Sequence, residues 1–331
     1  MSVLVTGATG MIGSVLTRKL VESGADVRIL HRRTSPLQML GDVLPLVDRV
    51  EGDVTEPATL AAAMEGVDEV YHVAALIGYG SRRDWPRLRR INVEGTANVV
   101  NAALKAGVRR LVYTSSIAAI GRPDGDRIRI DETVEWHVAR SNTYYARSKH
   151  LAELEVQRGI AEGLDAVLVN PSIVFGVGRA GENTRLLLDQ VRRGRMPAAP
   201  AGGTNFVDAE DAADGHIRAM ERGRTGERYI LGGENLLWRE AFAIIAEEFG
   251  AAPPRFIIPP PLAMTVGVTM EALSLVLPLS RVVSRETART SSRVYLYDNT
   301  RAREELGCTF RSFQETIQRI AEAMRASGDA R

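Results

Sequence analysis

The chain has 331 residues, 45% apolar and 25% charged, a balance that suits a globular protein with a large core and excludes a disordered or fibrous one. Its 42 basic and 41 acidic residues leave a formal charge of +1, which gives no reason to expect a nucleic acid or an anionic membrane as partner. A single cysteine, Cys308, excludes an internal disulfide and suits a reducing compartment. Cys308 and the five histidines show no metal-ligand spacing, so no metal centre is expected. The first expected strand starts at Ser2 with no basic leader or apolar signal core ahead of it, and the expected location is the cytoplasm.

Val3-Leu4-Val5-Thr6 reads as an apolar strand that enters the turn Gly7-Ala8-Thr9-Gly10-Met11-Ile12-Gly13 and then a helix. A strand that turns sharply into a helix N-terminus presents backbone amides to a pyrophosphate. Gly7 supplies backbone angles that a side chain forbids, Gly10 lets the backbone approach the phosphates, and Gly13 lets the helix pack on the sheet. The glycine spacing is Gly-x-x-Gly-x-x-Gly, and Thr9, Met11 and Ile12 complete the expected cradle of a dinucleotide.

The second strand, Val27-Arg28-Ile29-Leu30, runs into His31-Arg32-Arg33. A site that prefers NAD usually carries Asp or Glu here, to accept hydrogen bonds from the adenosine ribose. Arg32 and Arg33 instead offer guanidinium groups that pair with a 2′-phosphate, with two solvated loop arginines as the plain alternative. The pattern favours NADP(H), with NAD(H) as the alternative. Asp53 and Val54 follow Val50-Glu51-Gly52 at the next strand end, where the Asp53 carboxylate meets the adenine amino group. That end of the site is far from the chemistry, so Glu51 and Asp53 are not a catalytic carboxylate pair.

Short apolar strands are expected near 2–6, 26–31, 47–52, 68–74, 109–115 and 165–170, and helices over 11–23, 84–106 and 143–162. This is an α/β pattern, a doubly wound parallel sheet over residues 1–170. After about residue 170 the elements become shorter and richer in Gly and Pro, which marks 171–331 as a smaller mixed α/β lobe for the substrate. The two are interwoven, with parts of 204–238 returning to the sheet. His72 sits in an apolar strand and reads as a packed histidine near the cofactor.

Tyr145 and Lys149, four residues apart, share one helix face. A phenol holds its proton near neutral pH, and the Lys149 ammonium beside an oxidised nicotinamide favours the phenolate. Tyr145 then serves as general acid when a carbonyl is reduced and as general base when an alcohol is oxidised. Ser116 follows the strand Arg110-Leu111-Val112-Tyr113-Thr114-Ser115 at the end where such sheets hold ligands, and its hydroxyl can donate to the carbonyl oxygen. Strand alternation separates it from its competitor, Ser115. Tyr144 points to another face and is a candidate for the substrate pocket wall. Pro261–Leu279 is strongly apolar and almost long enough to span a bilayer. Glu271 near its middle and the bounding prolines favour an amphipathic or buried helix lining a hydrophobic pocket, with membrane-surface contact as the alternative and no integral membrane segment expected.

These motifs together resemble the extended short-chain dehydrogenases/reductases, the NAD(P)-dependent epimerase/dehydratase superfamily, over nearly the full length. The motifs that carry the likeness are Thr6-Gly7-x-x-Gly10-x-x-Gly13, His72-Val73-Ala74-Ala75, Asn92-Val93-Glu94-Gly95-Thr96, Thr114-Ser115-Ser116, Tyr145-x-x-x-Lys149 and Asn170-Pro171-Ser172. Phe206-Val207-Asp208-Ala209-Glu210-Asp211 and Gly226-Glu227-Arg228-Tyr229-Ile230-Leu231-Gly232 also fit. The resemblance implies a Rossmann-type fold in which Ala74, Ala75, Pro171, Ser172 and Val174 line the cofactor and Lys149 hydrogen-bonds the nicotinamide ribose. It implies a tetrad of Asn92, Ser116, Tyr145 and Lys149, with bracing of its own helix as the other role for Asn92. Gly121, five positions past Ser116, selects Ser116 over Ser115. Helices 84–106 and 143–162 would pair across a two-fold axis in a homodimer.

Dehydratases of this kind carry an Asp-Glu pair after a catalytic Thr, where this chain has Ser116-Ile117. Nucleotide-sugar epimerases usually hold NAD through an acid at the place of His31 and show Arg-Pro where Asn170-Pro171 stands. The pattern resembles dihydroflavonol reductases and hydroxysteroid dehydrogenases more closely. The expected activity is NADP(H)-dependent reduction of a ketone or aldehyde on a small hydrophobic molecule, or oxidation of the matching alcohol. The alternatives are an epimerase with tightly bound NAD and a non-catalytic NADP-sensing regulator, a class that usually lacks the tyrosine or lysine found here. Substrate specificity is expected from 77–86, 179–205 and 256–290.

Overall fold

The computed structural model describes residues 1–78, 82–123, 125, 127–137, 142–180, 183–273 and 285–328. Its main layer is a seven-stranded parallel sheet of β1 (Ser2–Thr6), β2 (Asp26–His31), β3 (Asp48–Glu51), β4 (Glu69–His72), β5 (Arg110–Thr114), β7 (Ala166–Pro171) and β11 (Arg228–Leu231). The spatial order is β11-β7-β5-β4-β1-β2-β3. A parallel sheet is covered on both faces, and β4 and β7 are accordingly buried along their whole length.

The side chains alternate between two cores. On one face Val3, Val5, Ile29, Val112 and Val167 meet Leu16 and Leu20 of α1 (Met11–Glu22) and Ala213 and Met220 of α7 (Ala209–Arg222). On the other, Leu4, Val70, Leu111 and Leu168 meet α2 (Pro57–Ala63), α4 (Gly95–Ala106) and α5 (Tyr144–Ala161) through Leu60, Val99, Val100, Ala152 and Val156. Each fully buried Val or Leu contributes about 1.5–3 kcal/mol, so the two faces hold most of the hydrophobic stabilisation of this layer.

Strand order reverses between β1 and β4, and in such sheets the crevice at the C-terminal edge of the reversal is where ligands bind. Thr6 and His72 stand side by side at that edge. Each of the six strands read from the sequence is present: 2–6 and 26–31 have the expected bounds, and the ends of the other four are displaced by one or two residues. The seventh, β11, comes from the Gly226–Gly232 motif. Within 204–238 only α7 and β11 join the large sheet. β12 (Glu234–Leu237), β10 (Gly203–Asp208) and β8 (Ile173–Phe175) instead form a sheet of their own.

Two further parallel pairs, β9 (Ala198–Pro200) with β13 (Phe256–Ile258) and β6 (Ile128–Ile130) with β14 (Tyr295–Tyr297), complete the strands. Phe175, Phe206, Phe242 and Phe313 form the core between β8, β10 and the helices α6 (Asn183–Arg192), α8 (Trp238–Glu248) and α12 (Phe313–Ala326). Ser312 and Glu315 cap α12 reciprocally. Arg319 on α12 grips both carboxylate oxygens of the buried Asp208, at 3.0 and 2.7 Å, which ties the C-terminal helix to the end of β10.

α3 (Trp85–Leu88) runs through a π-helical stretch, Arg89–Glu94, into α4. α9 (Pro260–Leu273), α10 (Arg285–Ser291) and α11 (Thr300–Leu306) complete the helices. α9 corrects the expectation of an amphipathic or buried helix. Apolar residues occupy all its sides, and Leu262, Val266 and Val268 are 53%, 43% and 48% exposed. The rest of that apolar run, 274–279, lies outside the described residues. Among the described residues no helix is long and apolar enough to cross a membrane.

Candidate active site

The turn from β1 into α1 separates its three glycines by cause. Gly7 has φ of +74°, and a Cβ there would meet the Ala74 backbone nitrogen at 2.5 Å. A Cβ on Gly13 would overlap the carbonyl oxygen of Gly7. The protein's own packing requires both. A Cβ on Gly10 would meet only the Gly7 carbonyl oxygen, at 3.4 Å, so the space beside Gly10 belongs to something other than this chain. α1 also begins without a side-chain cap, which leaves the first-turn amides of Met11, Ile12 and Gly13 for an anion. Ser115 and Ser172, at the ends of β5 and β7, have buried hydroxyls with no hydrogen-bond partner among the described residues, as groups made for a ligand would. The cradle therefore fits a dinucleotide.

Gly10→Ala is accordingly expected to leave the melting temperature unchanged while weakening dinucleotide binding by about tenfold, roughly 1.4 kcal/mol. Gly13→Ala is expected to destabilise the fold by about 1–3 kcal/mol, as overpacking does. Thermal melts paired with nucleotide titrations read both, and equal melts for the two variants would contradict the distinction.

The other expected cofactor residues line the same edge. Thr9 and Ala74 are half-buried, Ala75 is exposed, Pro171 is buried and Val174 is half-buried. Val54 is buried against Gly95. Asp53 is half-buried, and one of its oxygens accepts from the Thr55 amide at 2.8 Å, which shapes its own loop. The His31 ring meets the Arg32 carbonyl oxygen at 3.1 Å. Arg32 and Arg33 are exposed, and neither guanidinium has an ion-pair partner among the described residues. Ser35 ties the loop back to the Arg32 backbone on both sides.

α5 starts at the Thr143 cap, whose hydroxyl accepts from the Ala146 amide at 3.0 Å. Tyr145 and Lys149 follow one turn apart. Lys149 is 1% exposed, and its Nζ donates to the Thr114 carbonyl at 2.7 Å from a position 4.5 Å off the centre of the Tyr113 ring. The helix is thereby locked to the strand end that carries Ser116. Burial pushes the Lys149 ammonium down to about 7, with the Glu153 carboxylate one turn on opposing the shift. Glu153 accepts from the Asn170 amide at 2.7 Å, and the same nitrogen donates to the Ser116 carbonyl at 2.9 Å.

Ser116 is half-buried and its Oγ accepts from the Ala118 amide at 3.2 Å, so its proton is left for another acceptor. Ser115 is buried. β5 ends at Thr114, so both serines lie past the strand and alternation does not separate them; they differ in that Ser116 is the more exposed. Asn92, in the π-helical stretch, accepts from the Leu76 amide at 2.7 Å and donates to the Leu76 carbonyl at 3.0 Å and to Ser148 Oγ at 2.9 Å. Its side chain is committed to bracing the loop after β4 against α5. The Tyr144 ring lies 6.1 Å from that of Trp85, which also carries the Arg147 guanidinium at 4.6 Å.

Two participants were not read from the sequence. Glu153 continues the spacing Tyr145-x-x-x-Lys149-x-x-x-Glu153, a polar stripe on a buried helix face that was there to be seen. His216 of α7 meets Thr114 Oγ1 at 2.8 Å and the Ala212 carbonyl at 2.6 Å, and burial pushes it down to about 4. Nothing local to His216 announces a partner 102 positions away. His72 is fully buried, as expected of a packed histidine. No group of His, Cys, Asp and Glu among the described residues is placed to hold a metal ion.

Residues 3–232 match the NAD dependent epimerase/dehydratase family. Among curated relatives, "Putative dihydroflavonol 4-reductase" of Synechocystis sp. is 36% identical over 319 residues, which is 95% of this chain and 91% of that protein. Sterol demethylase protein B of Methylococcus capsulatus is 34% identical over 321 residues, 93% of each. Among solved structures, that of gox2253 superposes with a TM-score of 0.84 at 35% identity and covers 99% of both chains. The cradle at the strand-order reversal, the lysine-bearing helix and these matches agree: the chain belongs to the NAD dependent epimerase/dehydratase family, the extended short-chain dehydrogenases/reductases, and is an NAD(P)-dependent enzyme.

Proposed function

We propose that this enzyme is an NADP(H)-dependent oxidoreductase that reduces a ketone or aldehyde on a small hydrophobic molecule, or oxidises the matching alcohol. The seating of Lys149 carries the reading. A buried lysine bonded to the Thr114 carbonyl, one turn past Tyr145, supports a role for the pair in controlling a phenol's proton. A bound nicotinamide supplies the hydride in reduction and accepts it in oxidation. Tyr145 gives its phenolic proton to the substrate oxygen in reduction and takes it back in oxidation. Ser116 donates a second hydrogen bond to that oxygen as negative charge develops. The Lys149 ammonium lowers the phenol's pKa, and Asn170 and Glu153 hold Ser116 and Lys149 in register.

An apolar substrate is supported by the names of the relatives and by Phe256 and Ile257, exposed in the stretch expected to set specificity. Residues 79–81, 181–182 and 274–284 of the expected specificity stretches lie outside the described residues. The same reading takes a homodimer through α4 and α5, where Leu154 stands exposed, and a cytoplasmic location.

The unpaired arginines support NADP(H) over NAD(H). Replacing Arg32 and Arg33 together by Ala is expected to raise the NADPH Kd by about 100-fold, two charge-assisted hydrogen bonds, and to leave that of NADH nearly unchanged. Nicotinamide fluorescence in a titration reads both. A wild-type preference for NADH, or NAD that co-purifies and does not exchange, would contradict the reading and favour a nucleotide-sugar epimerase.

A further inference from the structure

Three side chains from separate parts of the sequence, Thr6, His72 and Thr96, form one continuous buried chain of hydrogen bonds that ends on the backbone carbonyl of Asn92. The Ala74 amide donates to Thr6 Oγ1 at 3.3 Å, and Thr6 Oγ1 meets His72 Nδ1 at 2.7 Å. His72 Nε2 meets Thr96 Oγ1 at 3.0 Å, and Thr96 Oγ1 donates to the Asn92 carbonyl at 2.6 Å. Thr6, His72, Asn92 and Thr96 are all buried.

The direction of every proton in this chain is fixed. Two oxygens at 2.6 Å need a proton between them, so the single Thr96 hydroxyl proton is spent on the Asn92 carbonyl. His72 Nε2 must then be the donor to Thr96. The Thr96 end thus sets the neutral tautomer, with the proton on Nε2. Nδ1 is then the acceptor, and Thr6 Oγ1, which accepts from the Ala74 amide, gives its own proton to it. An imidazolium would set a second donor against the Thr6 hydroxyl, and burial together with the Lys149 charge pushes His72 down to about 3.

The chain joins the two halves of the site. Thr6 directly precedes Gly7, and Ala74 is the residue whose backbone confines Gly7. At the other end, Asn92 holds Leu76 and Ser148, the neighbour of Lys149. We propose that His72 is a positioning residue: through a one-way hydrogen-bond chain from Thr6 to Asn92 it sets the cofactor turn in register with the helix that carries Tyr145 and Lys149. This rests on the proposed reductase reading for its kinetic consequence but not for its geometry.

The test begins with the wild-type protein. Nitrogen-15 NMR of His72 is expected to give the Nε2–H tautomer without titration between pH 5 and 9. The Nδ1–H tautomer, or a titration in that range, would overturn the proposal whatever the enzyme's substrate. Variants then separate the two halves. Thr6→Val is expected to raise the NADPH Kd by about tenfold, the loss of one buried hydrogen bond, and Thr96→Val to lower kcat by about tenfold at unchanged NADPH Kd. His72→Phe is expected to do both, and His72→Gln, whose carbonyl accepts and amide donates, to restore both within about threefold. Variants that change only the melting temperature would show a structural histidine and overturn the proposal. If Tyr145→Phe keeps full turnover, the reductase reading fails instead, while the tautomer and the NADPH Kd of Thr6→Val still decide the role of His72.

Discussion

Tyr145→Phe is expected to lower kcat by about 10²–10⁴-fold, the range that one positioned acid–base group supplies. The change removes one oxygen atom and leaves the ring. The helix is seated through other groups: Thr143 caps α5, Lys149 anchors it at Thr114, and Ser148 joins it to Asn92. The NADPH Kd and the melting temperature should therefore stay near wild type. The loss belongs to kcat, because proton transfer to the substrate oxygen is made only in the transition state. Steady-state kinetics with a nucleotide titration alongside checks the split. Retained turnover would remove Tyr145 from the chemistry, and a loss that appears only in the nucleotide Kd would assign it to binding.

Lys149→Met is expected to lower turnover sharply and stabilise the protein, two effects of opposite sign from one burial. Lys149 has its ammonium held at about 7 against an ordinary 10.5. In the unfolded chain the same group stays protonated to about pH 10, so at pH 7 folding works against its proton by about 4 kcal/mol. The hydrogen bond to the Thr114 carbonyl returns about 1.5–3 kcal/mol, as bonds to charged groups do. Methionine fills a similar volume with no charge, and the variant should gain about 1–3 kcal/mol.

The pH dependence follows the lowered pKa. Below about pH 7 both folded and unfolded chains hold the proton, and the full penalty stands. Between about 7 and 10.5 the folded protein has released it while the unfolded chain keeps it, so wild-type stability from this group rises with pH across that window. The advantage of the variant should shrink accordingly, as chemical denaturation at about pH 7 and pH 9.5 would read. Turnover should fall by about 10²-fold or more, since the phenol loses the charge that lowers its pKa. A variant less stable than wild type at pH 7 would contradict the burial argument.

The parts of the site that the sequence revealed are those encoded by neighbours in the chain. Gly7, Gly10 and Gly13 act within one turn, and Tyr145 and Lys149 within one helical repeat, so their spacing carries the geometry. The links that assemble the site are of another kind. Thr6 reaches His72 across 66 positions, because parallel strands bring together residues separated by whole crossover helices, and Thr114 reaches His216 across 102, because α7 packs back on the sheet. No local pattern marks such pairs. Strand alternation does not help to separate Ser115 from Ser116, because β5 ends at Thr114, ahead of both, and leaves the Gly121 spacing as the sequence signal. The apolar run at α9 suggested burial from composition, yet a helix apolar on all sides has no face that a single neighbouring layer can cover. The return of β11 to the sheet edge was visible only as a motif, since four residues of Arg-Tyr-Ile-Leu carry little strand signal on their own.

The measurement closest to the central claim is NADPH absorbance followed in time, with purified enzyme and a panel of hydrophobic ketones and aldehydes, and Tyr145→Phe run in parallel. Stoichiometric loss of NADPH with at least one carbonyl compound is expected, with a matching amount of alcohol formed and a loss about 10²–10⁴-fold slower in the variant. Isomerisation of a nucleotide sugar by enzyme that retains NAD through dialysis, with no net change in nicotinamide redox state, would contradict it.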